Sequence, residues 1–228
     1  MDLLVGGDSF SVHGHADYSW SRYLVENNSH IKNYKNVALG NAGNLYISRS
    51  VIDSVITMKN VDFVICGWSL ELRGSAPDAR KNVWWKGLPS YETAEMYTDI
   101  EMLELKQHNF RTLENIIRTQ WFLESKGIDH KFFFAWKNNF SENVEFPLFN
   151  ELNLDKFWYP DLRGQRPVPQ KHYTRFSEGE NYKILHTKWN GMLEWIVCNV
   201  EDGLNQGHHP TEEGHERFAL EVASKWIS

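Results

Sequence analysis

The chain has 228 residues, with 24 Lys+Arg against 30 Asp+Glu and a formal net charge of −6. Its 41% hydrophobic residues, with glycine added, come to about 47%, inside the globular norm of about 45–50%, so disorder and fibrous repeats are excluded and one sizeable domain over 1–228 is expected. A net-negative chain without a Lys/Arg run lacks the basic stripe that phosphate neutralisation requires, which argues against nucleic acid and against an anionic membrane surface as partners. Leu3-Leu4-Val5 reads as a first strand ending at Gly6-Gly7, and Tyr18 to Asn27 as a helix. Val37-Ala38-Leu39 reads as a second strand, followed by Gly40-Asn41-Ala42-Gly43 and a helix over 45–58 with Ile47, Val51, Ile52, Val55 and Ile56 at helical spacing. Val61 to Cys66 has the continuous apolar character of a buried third strand, ending at Gly67. Periodicity then fails near 68–93, a loop insertion that contains Trp84-Trp85. Loops this long inside a domain are commonly functional.

From about Glu95 to Lys126 the apolar positions Met96, Ile100, Leu103, Phe110, Leu113, Ile117 and Trp121 predict the longest helix, stopped by Gly127 in the left-handed conformation. Phe132 to Trp136 reads as a fourth strand, and the Pro- and aromatic-rich stretch near 138–182 as a second loop insertion. A last strand is expected near Trp195 to Val200. The C-terminal helix starts at Thr211, an N-cap followed by Glu212-Glu213, with Ala219, Val222, Ala223 and Trp226 as its apolar stripe. This alternation is the pattern of an α/β domain with a central parallel sheet.

No apolar run approaches the roughly 18 residues of a transmembrane helix, and MDLLVGGDSF has no basic region before a long apolar one. The product is therefore expected in the cytoplasm, or released by lysis. Cys66 and Cys198 each sit in an apolar run and read as reduced core thiols. With no glycine-rich phosphate cradle, no H-E-x-x-H and no C-x-x-C, neither a nucleotide cofactor nor a metal is expected, although His13, His15, His208 and His209 supply imidazoles.

Ligands of open parallel sheets bind beyond the carboxyl ends of the strands. Polar, glycine-containing clusters fall there: Gly7-Asp8-Ser9-Phe10-Ser11, Gly40-Asn41-Ala42-Gly43-Asn44, Gly67-Trp68-Ser69 and Gly207-His208-His209-Pro210. Taken singly, such a serine is a cap, such a glycine run a turn and such a histidine a surface residue. Jointly they bring a Ser and a His about 200 residues apart to one rim. A serine hydroxyl becomes a useful nucleophile when an imidazole takes its proton, and the tetrahedral oxyanion needs preorganised donors, each worth about 3–4 kcal/mol.

Those blocks, in that order along the whole chain, resemble the SGNH branch of the GDSL hydrolases. Gly7-Asp8-Ser9-Phe10-Ser11 is similar to the family's GDS block, Gly43 to its glycine block, and His209-Pro210 to the end of its D-x-x-H-P block. The resemblance implies a flavodoxin-like three-layer α/β/α fold, Ser9 as nucleophile, His209 as general base, and the Ser9 and Gly43 N–H groups as oxyanion donors. A small acyl ester is the expected substrate, and the aromatic loops point to an acylated carbohydrate as its form. A phage or a bacterial source fits equally.

Two positions depart from the family pattern. Gly67-Trp68-Ser69-Leu70 stands where G-x-N-D is usual, so the Ser69 hydroxyl is the candidate third oxyanion donor. Gln206 stands where the family has Asp, and it would orient the imidazole through an amide instead of a carboxylate, with Asp202 as a rival acid. His208 competes with His209 as base. Asp8, Asn44, Trp68 and Arg73 are the candidate substrate-contacting residues. Three of them also have a structural reading: Asp8 as the residue fixing the Ser9 turn, Arg73 as a loop salt bridge, and Trp68, like Trp84 and Trp85, as packing rather than a stacking platform for sugar. Two functions of different class follow as alternatives, a serine esterase or deacylase and a catalytically impaired glycan-binding or assembly protein of the same fold; acyl transfer to another hydroxyl would use the same residues as the esterase.

Overall fold

A computed structural model describes residues 1–12, 18–69, 101–137, 147–162, 190–205 and 209–227, and short backbone pairs at 77–78, 83–84, 168–169 and 181–182; of 101–108 it describes the backbone. Five parallel strands form the central sheet: β1 Asp2–Gly6, β2 Asn33–Asn36, β3 Phe63–Trp68, β4 Asp129–Phe134 and β5 Phe157–Trp158. Their spatial order is β2-β1-β3-β4-β5. This is the flavodoxin-like doubly wound order, and its direction of winding reverses between β1 and β3.

Period-two alternation divides the strand side chains between two apolar clusters, one on each face. Leu3, Val5, Phe63, Ile65 and Phe133 join one, with α1 (Trp20–Glu26), α4 (Met192–Asn199) and α5 (Glu212–Glu221). Leu4, Val64, Cys66, Trp68, Phe132 and Phe134 join the other, with α2 (Asn44–Thr57) and α3 (Glu101–Ser125). The molecule is thus a three-layer α/β/α sandwich. Among the described residues no helix is long and apolar enough to cross a membrane.

Several elements differ from the sequence reading. The second strand lies at Asn33–Asn36, before the apolar trio at 37–39, because it is an edge strand of alternating polar exposure. The trio still runs beside β1, with Val37 N–H donating to Val5 C=O at 2.8 Å and Leu39 N–H to Gly7 C=O at 3.1 Å. The run expected to be a last strand is the helix α4. Its Met192, Leu193 and Ile196 are buried at helical spacing, and the Glu194 carboxylate reaches back to accept the Gly191 N–H at 2.8 Å. The fifth strand comes from within the stretch read as a loop insertion, where Phe157 and Trp158 extend the sheet beside β4. In α3, Phe110 and Trp121 are exposed while Leu113 and Ile117 are buried. Gly127 stops α3 with φ +66°, a conformation that glycine alone adopts without steric cost.

Candidate functional site

The turn after β1 is closed by one carboxylate. Asp8 has no exposed surface; its Oδ1 accepts the Phe10 N–H at 3.0 Å and its backbone carbonyl accepts the Ser11 N–H at 2.9 Å. Gly7 makes the turn possible, since at φ +156° a Cβ there would stand 2.5 Å from Ser11 Oγ. Ser11 is held in turn by the Trp20 indole N–H, which donates to its Oγ at 3.3 Å, and by the Asn36 amide, which donates to its carbonyl at 2.6 Å. Ser9 stands between these anchors, 6% exposed.

His209 comes to the same rim from the far end of the chain. The backbone of Leu204 bridges Pro210, Asn205 N–H donates to the His209 carbonyl at 2.9 Å, and His209 N–H donates to Asn205 Oδ1 at 3.1 Å. Thr211 then caps α5 by accepting the Gly214 N–H at 3.3 Å. So anchored, the imidazole lies with its centroid 5.6 Å from that of the buried Phe10 ring, and its Nε2 is 3.0 Å from Ser9 Oγ. In the tautomer protonated at Nδ1, the Ser9 hydroxyl donates to Nε2, the arrangement needed to remove the serine proton.

Ser69 occupies a different position from the one expected of a third oxyanion donor. Its hydroxyl donates to Asp8 Oδ2 at 2.7 Å, and a hydroxyl has one proton to give. Its N–H donates to Asn44 Oδ1 at 2.8 Å, and its carbonyl accepts from the Asn44 amide at 3.1 Å. Asn44, 3% exposed, also donates to Thr112 Oγ1 at 3.1 Å, so it clamps the end of β3 to α3 instead of facing a substrate. Trp68 is likewise corrected. It is the last residue of β3, wholly buried and edge-on to Phe132 with centroids 5.5 Å apart, so it packs the sheet and offers no face to a sugar.

Gly43 is the N-cap of α2, directly beside the Asn44 clamp. Among the described residues neither its N–H nor that of Ser9 donates to an acceptor. The Cys66 thiol below the turn is pushed well up in pKa by burial and by the negative charge of Asp8, so it stays protonated and does not compete as a nucleophile. Asp202 sits exposed in the turn after α4 at φ +50°, where its carbonyl accepts the Thr211 hydroxyl at 3.3 Å. Arg73, Trp85, Gln206, His208, His13 and His15 lie outside the described residues, as does the side chain of Trp84. Among the described residues no group of three His, Cys, Asp or Glu side chains could hold a metal ion.

Thr112 is not anticipated from the sequence, and Asn205 stands out in it only as the residue three before His208, not as the one that closes the loop on His209. A signal for Thr112 exists: Asn109, Thr112, Asn115 and Thr119 are uncharged polar residues three or four apart in α3, and all are buried. No comparable pattern marks Asn205, whose role depends on the loop closing on itself. No protein-family model matches the chain, and no curated protein matches it.

Proposed function

We propose that the chain is a serine esterase or deacylase of the SGNH type, acting on small acyl esters of an alcohol or of a carbohydrate hydroxyl. The observation that carries this reading is the 3.0 Å approach of His209 Nε2 to Ser9 Oγ at the carboxyl ends of β1 and β3. In this scheme His209 Nε2 takes the Ser9 proton as Oγ attacks the ester carbonyl carbon. The tetrahedral oxyanion is met by the N–H groups of Ser9 and Gly43. His209 returns the proton to the departing alcohol oxygen, leaving an acyl ester on Ser9. Water, losing its proton to His209, then attacks that ester and releases the acid with the Ser9 hydroxyl restored.

The test is covalent labelling by an activated fluorophosphonate together with hydrolysis of p-nitrophenyl acetate. Labelling and turnover by the native protein, both lost in Ser9→Ala, support the reading. Turnover that survives Ser9→Ala removes the nucleophile assignment. One observation favours the second reading, a catalytically impaired glycan-binding or assembly protein of the same fold: the Ser69 hydroxyl is committed to Asp8, leaving the oxyanion site without a side-chain donor at that position. Absence of labelling in a folded protein would select it.

A further inference from the structure

A groove of 380 Å³ lies apart from Ser9 and His209, where the end of β5 meets α4 and the end of α5. Three tryptophans line it, Trp158, Trp195 and Trp226, each half-buried. All three rest edge-on against one fully buried ring, Phe218, with centroids 5.4, 5.8 and 5.9 Å away and interplanar angles of 79°, 70° and 78°. The indoles are therefore fixed before any ligand arrives, so little side-chain entropy is lost on binding.

The polar rim narrows what the groove can take. Asp161 and Glu221 bring two negative charges, which disfavours an anion. Glu221 is paired with Arg217 at 2.6 Å, and Lys225 brings a positive charge to the rim, so groups of both signs border the groove and neither a simple anion nor a simple cation is selected. Aromatic faces beside donors and acceptors of both signs suit a ligand that has apolar C–H faces and hydroxyl edges on the same ring. We infer that this groove is a saccharide-binding site for a neutral oligosaccharide, with room for roughly two sugar rings on the scale of small-molecule sites. The sugar C–H faces stack on the indoles, and the hydroxyls bridge the Asp161 carboxylate and the Lys225 ammonium.

The site does not depend on the chemistry of Ser9, and the experiment separates the two. Cellotetraose, maltotetraose and chitotetraose are titrated into the native protein and into Ser9→Ala, followed by tryptophan fluorescence and calorimetry. At least one tetrasaccharide binds saturably and equally to both proteins, and Trp195→Ala weakens it by at least about tenfold. Asp161→Asn, at an exposed position, weakens it severalfold and decides the matter if Trp195→Ala fails to fold. No saturable binding by any of the three, or binding unchanged by Asp161→Asn and by a folded Trp195→Ala, overturns the inference. Saturable binding of tetramethylammonium with no tetrasaccharide binding also overturns it, in favour of a cation cage.

Discussion

A carboxylate without exposed surface is costly unless hydrogen bonds replace its water, and Asp8 receives them from the Phe10 N–H and the Ser69 hydroxyl. Hydrogen bonds to charged groups contribute about 1.5–3 kcal/mol, so Ser69→Ala is expected to lower stability by about 2 kcal/mol, read as a fall in the urea midpoint. A variant that keeps its midpoint but loses turnover would instead make Ser69 an oxyanion donor. Under the proposed esterase reading, Ser9→Ala and His209→Ala should each reduce turnover to near background, with the double variant no worse, because residues that share one proton transfer are not additive. Losses that add in log rate would show that the two do not share a step. The position of Ser9 beyond β1 is legible in the sequence, whereas His209 is expected on the same rim after a strand at 195–200 that is in fact α4, and it arrives there through the loop between α4 and α5. The direction of the Ser69 hydroxyl is not legible, since it depends on where the Asp8 carboxylate comes to rest.

The β1, α2, β3 and α5 segments declare themselves through run length, helical spacing and the Thr211 cap, whereas α4 does not. Its Trp195-Ile196-Val197-Cys198 run is as apolar as a buried strand, and only packing on both sides of Gly191 and Glu194 decides for the helix. The two-residue β5 is too short for any periodicity to register. Thr211→Ala removes the acceptor of the Gly214 N–H and should cost about 1 kcal/mol in thermal or urea unfolding, the usual value of an N-cap. On β4, His130 is buried with its Nδ1–H facing the Ile128 carbonyl at 3.3 Å and its Nε2 without a hydrogen-bond partner among the described residues, and burial lowers its pKa. The Lys156 ammonium opposes its protonation, while the carbonyl of Ile128 and the carboxylates of Glu124 and Asp129 favour it; burial prevails. Because the folded value lies below the unfolded one, about 6.5, its contribution is complete above that pH and is lost as pH falls below it. Unfolding free energy measured between about pH 8 and 5 should therefore decline on the acid side by up to about 1.4 kcal/mol per pH unit, and His130→Leu should flatten that slope. Asp129, held low chiefly by its hydrogen bond from Lys156, acts in a separate window, contributing stability that is lost as pH falls below about 4.

The two apolar clusters share the strands β1, β3, β4 and β5, so opening one face of the sheet is expected to loosen the packing of the other. Unfolding followed by tryptophan fluorescence and by far-ultraviolet circular dichroism is accordingly expected to give coincident transitions. Two separated midpoints would mean that one helical layer leaves first. The chain of hydrogen bonds from Thr112 through Asn44 and Ser69 to Asp8 adds a matter of timing to this picture. The turn that holds Ser9 is expected to acquire its geometry only after α3 has docked on α2 and β3 has joined β1, through hydrogen bonds 61 to 71 positions apart in sequence that close slowly. The pairing of Ser9 with His209 spans 200 positions. During refolding, the rate at which Ser9, the proposed nucleophile, becomes able to take a fluorophosphonate should thus follow the slowest phase, well after secondary structure returns, so this one side chain would keep time for the whole assembly.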